Sequence, residues 1–396
     1  MSELILTLNA GSSSLKFALF RAGLADAPAH LRGSLTGIGA EPRLKAKDEE
    51  GRIVFEQEWP EGAGPGDAGA AMQAIVARLS QAAEGEKVIA VGHRVVHGGL
   101  SHVEPVFVSD ALVADLERLN PLAPLHQPHN LAGIAAARAA FPQARQVACF
   151  DTAFHRRHPF VNDTFALPRA LYAEGVRRYG FHGLSYEYVA ARVAQDRPDL
   201  AAGRVVIAHL GNGASMCAIR DGRSIGSTMG FSALDGLPMG TRCGQIDPGV
   251  LLYLMSAHGM DAAAISDLLY KQSGLKGLSG LSHDMRLLLA SESREAGEAI
   301  DYFVFRVRRE IGAMAAVLGG LDALVFTGGI GENAVPIRAR ICEALDWLGL
   351  ALDAARNEEG RGDIAAPESR VRVLVVPTDE ERRIAGHVRR LLEKAV

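Results

Sequence analysis

The sequence predicts an α/β protein built as two related halves. Three observations carry this. Apolar, β-rich runs alternate with helical patterns along the chain. Two segments, Leu4 to Phe20 and Val205 to Arg220, both read as strand, short glycine turn, strand, and lie about 200 residues apart. The segment 299–318 carries a sustained helical period between later strands.

In chain order, Leu4 to Leu8 and Leu15 to Phe20 flank the turn Asn9-Ala10-Gly11-Ser12-Ser13-Ser14. Segment 60–70, rich in Gly and Pro, reads as a surface loop. Val88 to Val96 is a strand. The alanine-rich Leu131 to Ala140 is a helix, and Arg145 to Phe150 is the strand after it. Val205 to Leu210 and Ala214 to Arg220 flank Gly211-Asn212-Gly213, whose Asn-Gly pair suggests a type I′ hairpin. In 299–318, Ile300, Phe303, Val304, Val307, Ile311, Met314 and Leu318 form one apolar stripe, with Arg306, Arg308, Arg309 and Glu310 assigned to the other face. Ala323 to Thr327 and Val371 to Val376 are strands, and Asp379 to Lys394 closes the chain as a helix. The repeat places a division near 150: a first domain over 1–150, completed by the terminal helix 384–396, and a second over 151–383.

Composition excludes several classes. With 42 basic and 46 acidic residues the net charge is −4, which argues against a protein that coats nucleic acid. Met1-Ser2-Glu3 lacks the basic start of a signal peptide, and the apolar part of Ile311 to Leu321 is too short to span a bilayer. Cys149, Cys217, Cys243 and Cys342 form no CxxC pair, so neither a disulfide framework nor a zinc site is expected. The expected setting is a soluble, reducing one. Glycine is the outlier. The chain has 43 in 396 residues, about 11% against an average near 7%, a surplus of roughly 15 that needs a reason.

The glycines collect in motifs with chemistry. The turn from Asn9 to Lys16 puts backbone N–H groups and hydroxyls where an anion would be held, with Lys16 as a point charge; a plain serine-rich hairpin is the alternative. No GxxxxGK[ST] loop is present. Gly328-Gly329-Ile330-Gly331-Glu332-Asn333 follows an apolar strand and precedes a helix, which suits a nucleotide phosphate. Arg94, in Gly92-His93-Arg94-Val95-Val96-His97-Gly98-Gly99, sits in an apolar run and must meet an anion if buried. Tyr179-Gly180-Phe181-His182-Gly183 and Met239-Gly240-Thr241-Arg242-Cys243-Gly244 each set a cationic or imidazole side chain between glycines. Asp151 ends a strand, and Pro377-Thr378-Asp379-Glu380-Glu381 opens the last helix with acids. Taken singly, each is as readily an ion pair or a cap.

Together, these motifs in this order resemble the acetokinase family, within the sugar kinase, heat-shock and actin superfamily. The resemblance runs from Asn9 to Glu381. It implies two related actin-like (ribonuclease H-like) domains with an interdomain cleft, and reversible transfer of the ATP γ-phosphoryl group to acetate, giving acetyl phosphate and ADP. It implies Mg2+, with Mn2+ as an alternative, held by Asn9 and Glu380. Asp151, His182 and Arg242 match catalytic positions, and Arg94, Val96, Leu125 and Phe181 match substrate positions. Lys16, His209, Leu210, Gly211, Asn212, Gly213, Asp284, Met285, Arg286, Gly329, Ile330, Gly331, Glu332 and Asn333 match nucleotide positions. His126 also matches an active-site histidine, or is a structural histidine beside prolines. A cytoplasmic homodimer, with no nucleic-acid or membrane partner, is implied.

The chemistry of the residues agrees. Phosphoryl transfer needs alignment and charge neutralisation more than covalent work. Two anions must meet, and two arginines, a lysine and a histidine would compensate their repulsion. A carboxylic acid with a pKa near ~4 is already ionised at neutral pH and needs no general base, so Asp151 is expected to orient Arg94 or a metal-bound water. Two positions depart from the family pattern. Asp379 stands where Asn is usual; its added charge would either strengthen the attraction for Mg2+ or cap the last helix, and the cap is the expectation. Ala233, in Gly230-Phe231-Ser232-Ala233-Leu234, stands where a proline commonly lines the methyl pocket, so propionate is expected as a secondary substrate. Propionate or butyrate kinase activity, or a non-catalytic nucleotide switch, are the rival readings.

Overall fold

The structure is a computed structural model. It describes the chain except Met1, Ser12, Ser13, Ala25, Asp26, Glu61, Ala83, Glu84 and Val396. The central serines of the first hairpin turn therefore lie outside the described residues. Two compact units result: Met1–Ala153 with Asp379–Val396, and Phe154–Thr378. The division falls at Ala153/Phe154 and Thr378/Asp379, not at 150/151 and 383/384. Thr152 is tied back into the first unit, accepting from the Gly98 amide at 3.0 Å. The last helix, Glu380–Lys394, enters that unit whole, with Asp379 as its N-cap.

In the first unit the strands are β1 (Glu3–Ala10), β2 (Ser14–Arg21), β3 (Leu31–Thr36), β4 (Arg43–Asp48), β5 (Ile53–Glu58), β6 (Lys87–Val95), β7 (Val106–Phe107) and β8 (Arg145–Phe150). Their order in the sheet is β5-β4-β3-β2-β1-β6-β8-β7. β1 runs antiparallel to β2 and parallel to β6, and β6 runs parallel to β8. Alternation sorts the faces. Leu4, Leu6 and Leu8 of β1 join Phe17, Leu44, Ala71, Met72, Ile75 and Leu79 in one core, which places the helix Ala68–Ala82 on that side. That helix shortens the loop expected over 60–70, because Asp67 accepts from the Ala70 amide at 2.8 Å and starts it. Thr7 faces the other way and pairs with Gly92 of β6. A Cβ on Gly92 would lie 2.4 Å from Ile384, so the last helix covers this second face. Each fully buried Leu, Ile or Phe contributes about 1.5–3 kcal/mol.

The second unit holds β9 (Arg204–Leu210), β10 (Ala214–Arg220), β11 (Arg223–Ser227), β12 (Ala323–Thr327), β13 (Gly362–Asp363) and β14 (Arg372–Val375), ordered β11-β10-β9-β12-β14-β13. β9 is antiparallel to β10 and parallel to β12, which is parallel to β14. Core strands β3-β2-β1-β6-β8 and β11-β10-β9-β12-β14 thus share one order and one pattern of directions. The hairpin echo in the sequence is the start of this repeat. Tyr186, Val189 and Val193 of the helix Gly183–Asp196 pack on Val205, Ile207, Cys217, Ile219 and Val325.

The helix Arg294–Leu318 buries the seven residues of its apolar stripe and starts earlier than the period alone indicates, capped by Ser293. Arg306 is a correction. It is buried rather than solvent-facing and donates to Gln245 Oε1 at 3.0 Å and Tyr302 Oη at 3.2 Å. The β9–β10 connection is also not type I′. That turn needs positive φ at both central residues, and neither Asn212 nor Gly213 has it. Among the described residues no helix is long and apolar enough to cross a membrane.

Candidate functional site

Asn9, Arg94, Asp151 and the segments 211–213 and 329–333 lie at or just past the carboxyl ends of parallel strands, where open α/β sheets present their ligands, while Lys16, Leu125, His182, Arg242 and Asp284 come from other elements. In the first unit β1 ends at Asn9-Ala10, β6 at Arg94-Val95, and β8 runs into Asp151. Arg94 reaches all three neighbours. Its Nε and Nη2 donate to Asp151 Oδ2 at 3.0 and 2.5 Å, and its Nη1 donates to Asn9 Oδ1 at 3.1 Å. Glu380 Oε2 lies 3.7 Å from Arg94 Nε. Burial alone would lower the Arg94 guanidinium, but Asp151 and Glu380 outweigh it and hold the group well above its usual value. Burial pushes the Glu380 carboxyl up to about 7; Arg94 opposes this, and Asp151 and Glu381 add to it.

Two features of this cluster suit a hard cation. Asp151 Oδ1 is buried and has no hydrogen-bond partner among the described residues. Glu380, beside Asp151, is held towards neutrality by burial and by the neighbouring Asp151 and Glu381 carboxylates, although Arg94 opposes this, so a further positive charge would favour its ionised form. No group of three or more His, Cys, Asp or Glu side chains forms a cage among the described residues. The donor set is therefore a sparse oxygen set, as Mg2+ uses when phosphates and waters complete its shell.

Lys16 is exposed and stands directly opposite Asn9 in the β1–β2 ladder. Val96 is buried and Leu125 half-buried. The residues after β6 are fixed by side chains that sequence reasoning missed. Asn130 accepts from the Val96 amide at 2.9 Å and donates to the Ala10 carbonyl at 2.7 Å. Gln127 bonds both the amide and the carbonyl of His97, at 3.2 and 3.0 Å. Both open the helix Gln127–Ala140, whose N-cap is His126. Asp379 accepts from the Arg382 amide at 2.9 Å and from Arg32 at 2.7 Å, so the cap assignment describes it.

In the second unit the other segments converge on Gly211-Asn212-Gly213. A Cβ on Gly213 would lie 3.2 Å from His182 Nε2 and 3.6 Å from Arg242 Nη2. One on Gly211 would lie 3.7 Å from the Gly329 amide nitrogen, and one on Gly240 would lie 2.1 Å from Asn212 Oδ1 and 3.2 Å from His283. The side chains of His182 and Arg242 and the backbone of Gly329 thus border this loop, and the tightest approach is that of Asn212 to Gly240.

His182 is one of two described non-glycine residues with positive φ, at 58°. Its Nδ1 lies 2.8 Å from Ser215 Oγ, and its ring stacks on His209 at 4.4 Å and 21°. Arg242 Nη1 donates to the Ala233 carbonyl at 3.0 Å. Phe181 is buried.

The 329–333 segment is a one-turn helix, Gly328–Asn333, held by its own acid. Glu332 Oε1 accepts from the Gly328 amide at 2.8 Å and the Thr378 amide at 3.1 Å, which makes it a positioning residue. Asn333 donates to the Gly329 carbonyl at 2.9 Å. Arg338, fully buried, donates to the Gly331 and Glu332 carbonyls at 3.0 and 2.8 Å; its place between apolar helix neighbours was the available signal. Asp284 caps the helix Met285–Leu289 and pairs with the exposed Arg286 at 2.6 Å. The Arg286 hydrogen bond pulls the Asp284 carboxyl down to about 2.

A repeated mixed sheet with glycine loops at the ends of its strands defines an actin-like α/β protein. Comparison with known proteins makes this specific. The model of the acetokinase family matches residues 4–386. An acetate kinase of Methylocella silvestris is 56% identical over 400 residues, covering 100% of this chain and 99% of that protein. One from Rhodopseudomonas palustris is 52% identical, covering 99% of each. The crystal structure of Porphyromonas gingivalis acetate kinase superposes with a TM-score of 0.88 at 38% identity, covering 99% of this chain and 100% of that one. A propionate kinase from Francisella tularensis gives 0.90 at 36%, covering 98% and 99%. The chain belongs to the acetokinase family.

Proposed function

We propose that this chain is a kinase acting on acetate, moving the γ-phosphoryl group of ATP directly and reversibly to the carboxylate to give acetyl phosphate and ADP. The observation that carries this is the full-length 56% identity with an acetate kinase. Arg94 binds the carboxylate, and Asp151 fixes the plane of the guanidinium through two of its N–H groups. Val96, Leu125 and Phe181 enclose the methyl group. His182 and Arg242 donate to the oxygens of the transferring phosphoryl, where charge is spread in the transition state. The backbone of 209–213 and 329–333, with Asp284 to Arg286, takes the nucleotide, and Lys16 supplies a further positive charge. Asn9 and Glu380 would hold Mg2+, or Mn2+ in its place, which supplies charge neutralisation on the phosphates when bound.

The acceptor's own pKa near ~4 leaves nothing for Asp151 to deprotonate at pH 7. Propionate is a secondary substrate in this reading, since Ala233 offers a smaller wall than proline. The enzyme works in the cytoplasm, without nucleic-acid or membrane partners, and as a homodimer. The helix Pro248–His258 supports the dimer: it buries none of its residues and exposes Leu252, Tyr253 and Met255. The test is a hydroxamate assay with ATP and Mg2+ across acetate, propionate and butyrate. Acyl hydroxamate from acetate above the other two is expected. None from any of them would leave a nucleotide switch as the function.

A further inference from the structure

We infer that Tyr186 and Ser215 form a positioning relay that fixes which nitrogen of His182 carries the proton. The inference rests on the reading of His182 as a donor to the transferring phosphoryl group. Tyr186 lies one turn after His182 on the same helix, its amide donating to the His182 carbonyl at 3.0 Å. Ser215 lies on β10 directly opposite His209. Tyr186 and Ser215 are both at 0% exposure.

The proton order follows from counting. Tyr186 Oη is 2.5 Å from Ser215 Oγ. Burial holds the phenol far above its usual pKa, so it keeps its single proton. Ser215 Oγ is the acceptor at hand, and the phenol donates there. The serine proton is then directed to the second neighbour of Oγ, His182 Nδ1, at 2.8 Å. Nδ1 accepts, and the neutral ring carries its proton on Nε2. That nitrogen faces Gly213 and lies on the Arg242 side of the loop. The opposite order would leave a buried phenol proton without an acceptor, a cost of the kind that buried polar groups rarely bear.

The ring is also held against rotation. His209 stacks on it, and His209 is itself fixed by Ser185, whose Oγ is 2.8 Å from His209 Nδ1 and 2.8 Å from Thr378 Oγ1. A ring with the proton on Nδ1 would turn a lone pair, not a donor, toward an incoming phosphoryl oxygen. Tyr186 and Ser215 would thereby decide whether His182 attracts or repels the group in flight.

The test combines spectroscopy and kinetics on the full chain. Two-bond 1H–15N correlation spectra of histidine-labelled protein, assigned with His182→Ala, are expected to show the Nε2–H tautomer at His182. In Tyr186→Phe the resonances should move toward a tautomer mixture. Tyr186→Phe and Ser215→Ala should each lower kcat roughly 10-fold or more while KM for ATP and acetate stays within about threefold. Adding Tyr186→Phe to His182→Ala should cost nothing further. An Nδ1–H tautomer in the wild type, or losses that multiply, would overturn the relay. Full kcat in His182→Ala would instead overturn the reading of His182 on which the relay rests.

Discussion

Arg94 grips Asp151 through two N–H groups on one carboxylate oxygen, Oδ2, at 3.0 and 2.5 Å, and leaves Oδ1 buried without a partner among the described residues. An aspartate acting mainly as a base would keep its oxygens for the substrate. Here one is spent on orienting a guanidinium. Asp151→Asn keeps the shape and removes the charge. A lost charge-assisted hydrogen bond is worth about 1.5–3 kcal/mol. Steady-state kinetics should therefore show acetate KM rising roughly 10- to 100-fold, with the pH profile of kcat unchanged in shape. Loss of an ionisation from that profile, with Mg2+ affinity intact, would make Asp151 a proton acceptor instead.

Gly328 has φ of +77°, and a Cβ there would sit 2.8 Å from the Leu210 carbonyl oxygen. Backbone on both sides cannot yield. Gly328→Ala should destabilise by about 1–3 kcal/mol and raise KM for ATP. Gly312, within the helix Arg294–Leu318, has open space at its Cβ position. Gly312→Ala should stabilise by up to about 1 kcal/mol with ATP kinetics unchanged. Thermal melts and ATP titrations of the two variants check both directions.

The Ala233 carbonyl accepts from Arg242 at 3.0 Å, so under the proposed function the segment assigned to the acyl pocket also holds the arginine assigned to the phosphoryl group. One methylene is worth about 1–3 kcal/mol of discrimination. Propionate kcat/KM should lie within a thousandfold of the acetate value, and Ala233→Pro should widen the gap. A wild-type gap beyond a thousandfold would remove the role given to Ala233.

Buried imidazoles make the second unit acid-sensitive. Burial lowers His155 to about 4 and His158 to about 2, both against Ser224 at 2.8 and 2.7 Å. In the unfolded chain each titrates near ~6.5. The unfolded state thus binds more protons below that value, so stability is full above pH 6.5 and falls as pH drops toward the native pKa values. For His155 the loss is on the order of 3 kcal/mol by pH 4. Denaturant unfolding between pH 7.5 and 4.5 should show this slope, and His155→Gln should flatten it.

If the helix Pro248–His258 is the dimer contact, charge on it will separate the copies. Leu252 and Tyr253 are 67% and 59% exposed in the single chain. Leu252→Glu with Tyr253→Arg should shift the mass in light scattering from dimer to monomer, without lowering the melting temperature of the monomer. A monomeric wild type would refute the dimer.

The strands that carry the site were legible because each is an apolar run ending in an unusual polar residue: β1 at Asn9, β6 near Arg94, β8 before Asp151, and β12 before the glycine loop. Strands β3 to β5 were not. Arg43, Lys45 and Lys47 alternate with buried Leu44 and Ala46, and charges that stay on the solvent face mask a short strand. Arg306 was misplaced for a related reason: a stripe records apolar residues and cannot show that Gln245 and Tyr302 await a guanidinium at its edge.

By itself the sequence determined the repeat, the glycine loops and the family, since these depend on local periodicity and on motif order along the chain. Tertiary structure alone decided which oxygen of Asp151 meets Arg94, that Glu332 ties Gly328 to Thr378, that Asn130 joins Val96 to Ala10, and that Tyr186 reaches His182 through Ser215. These partners are ordinary polar residues distant in sequence. Hydrogen bonds act over about 3 Å and depend on direction, so only the folded arrangement of strands determines who meets whom.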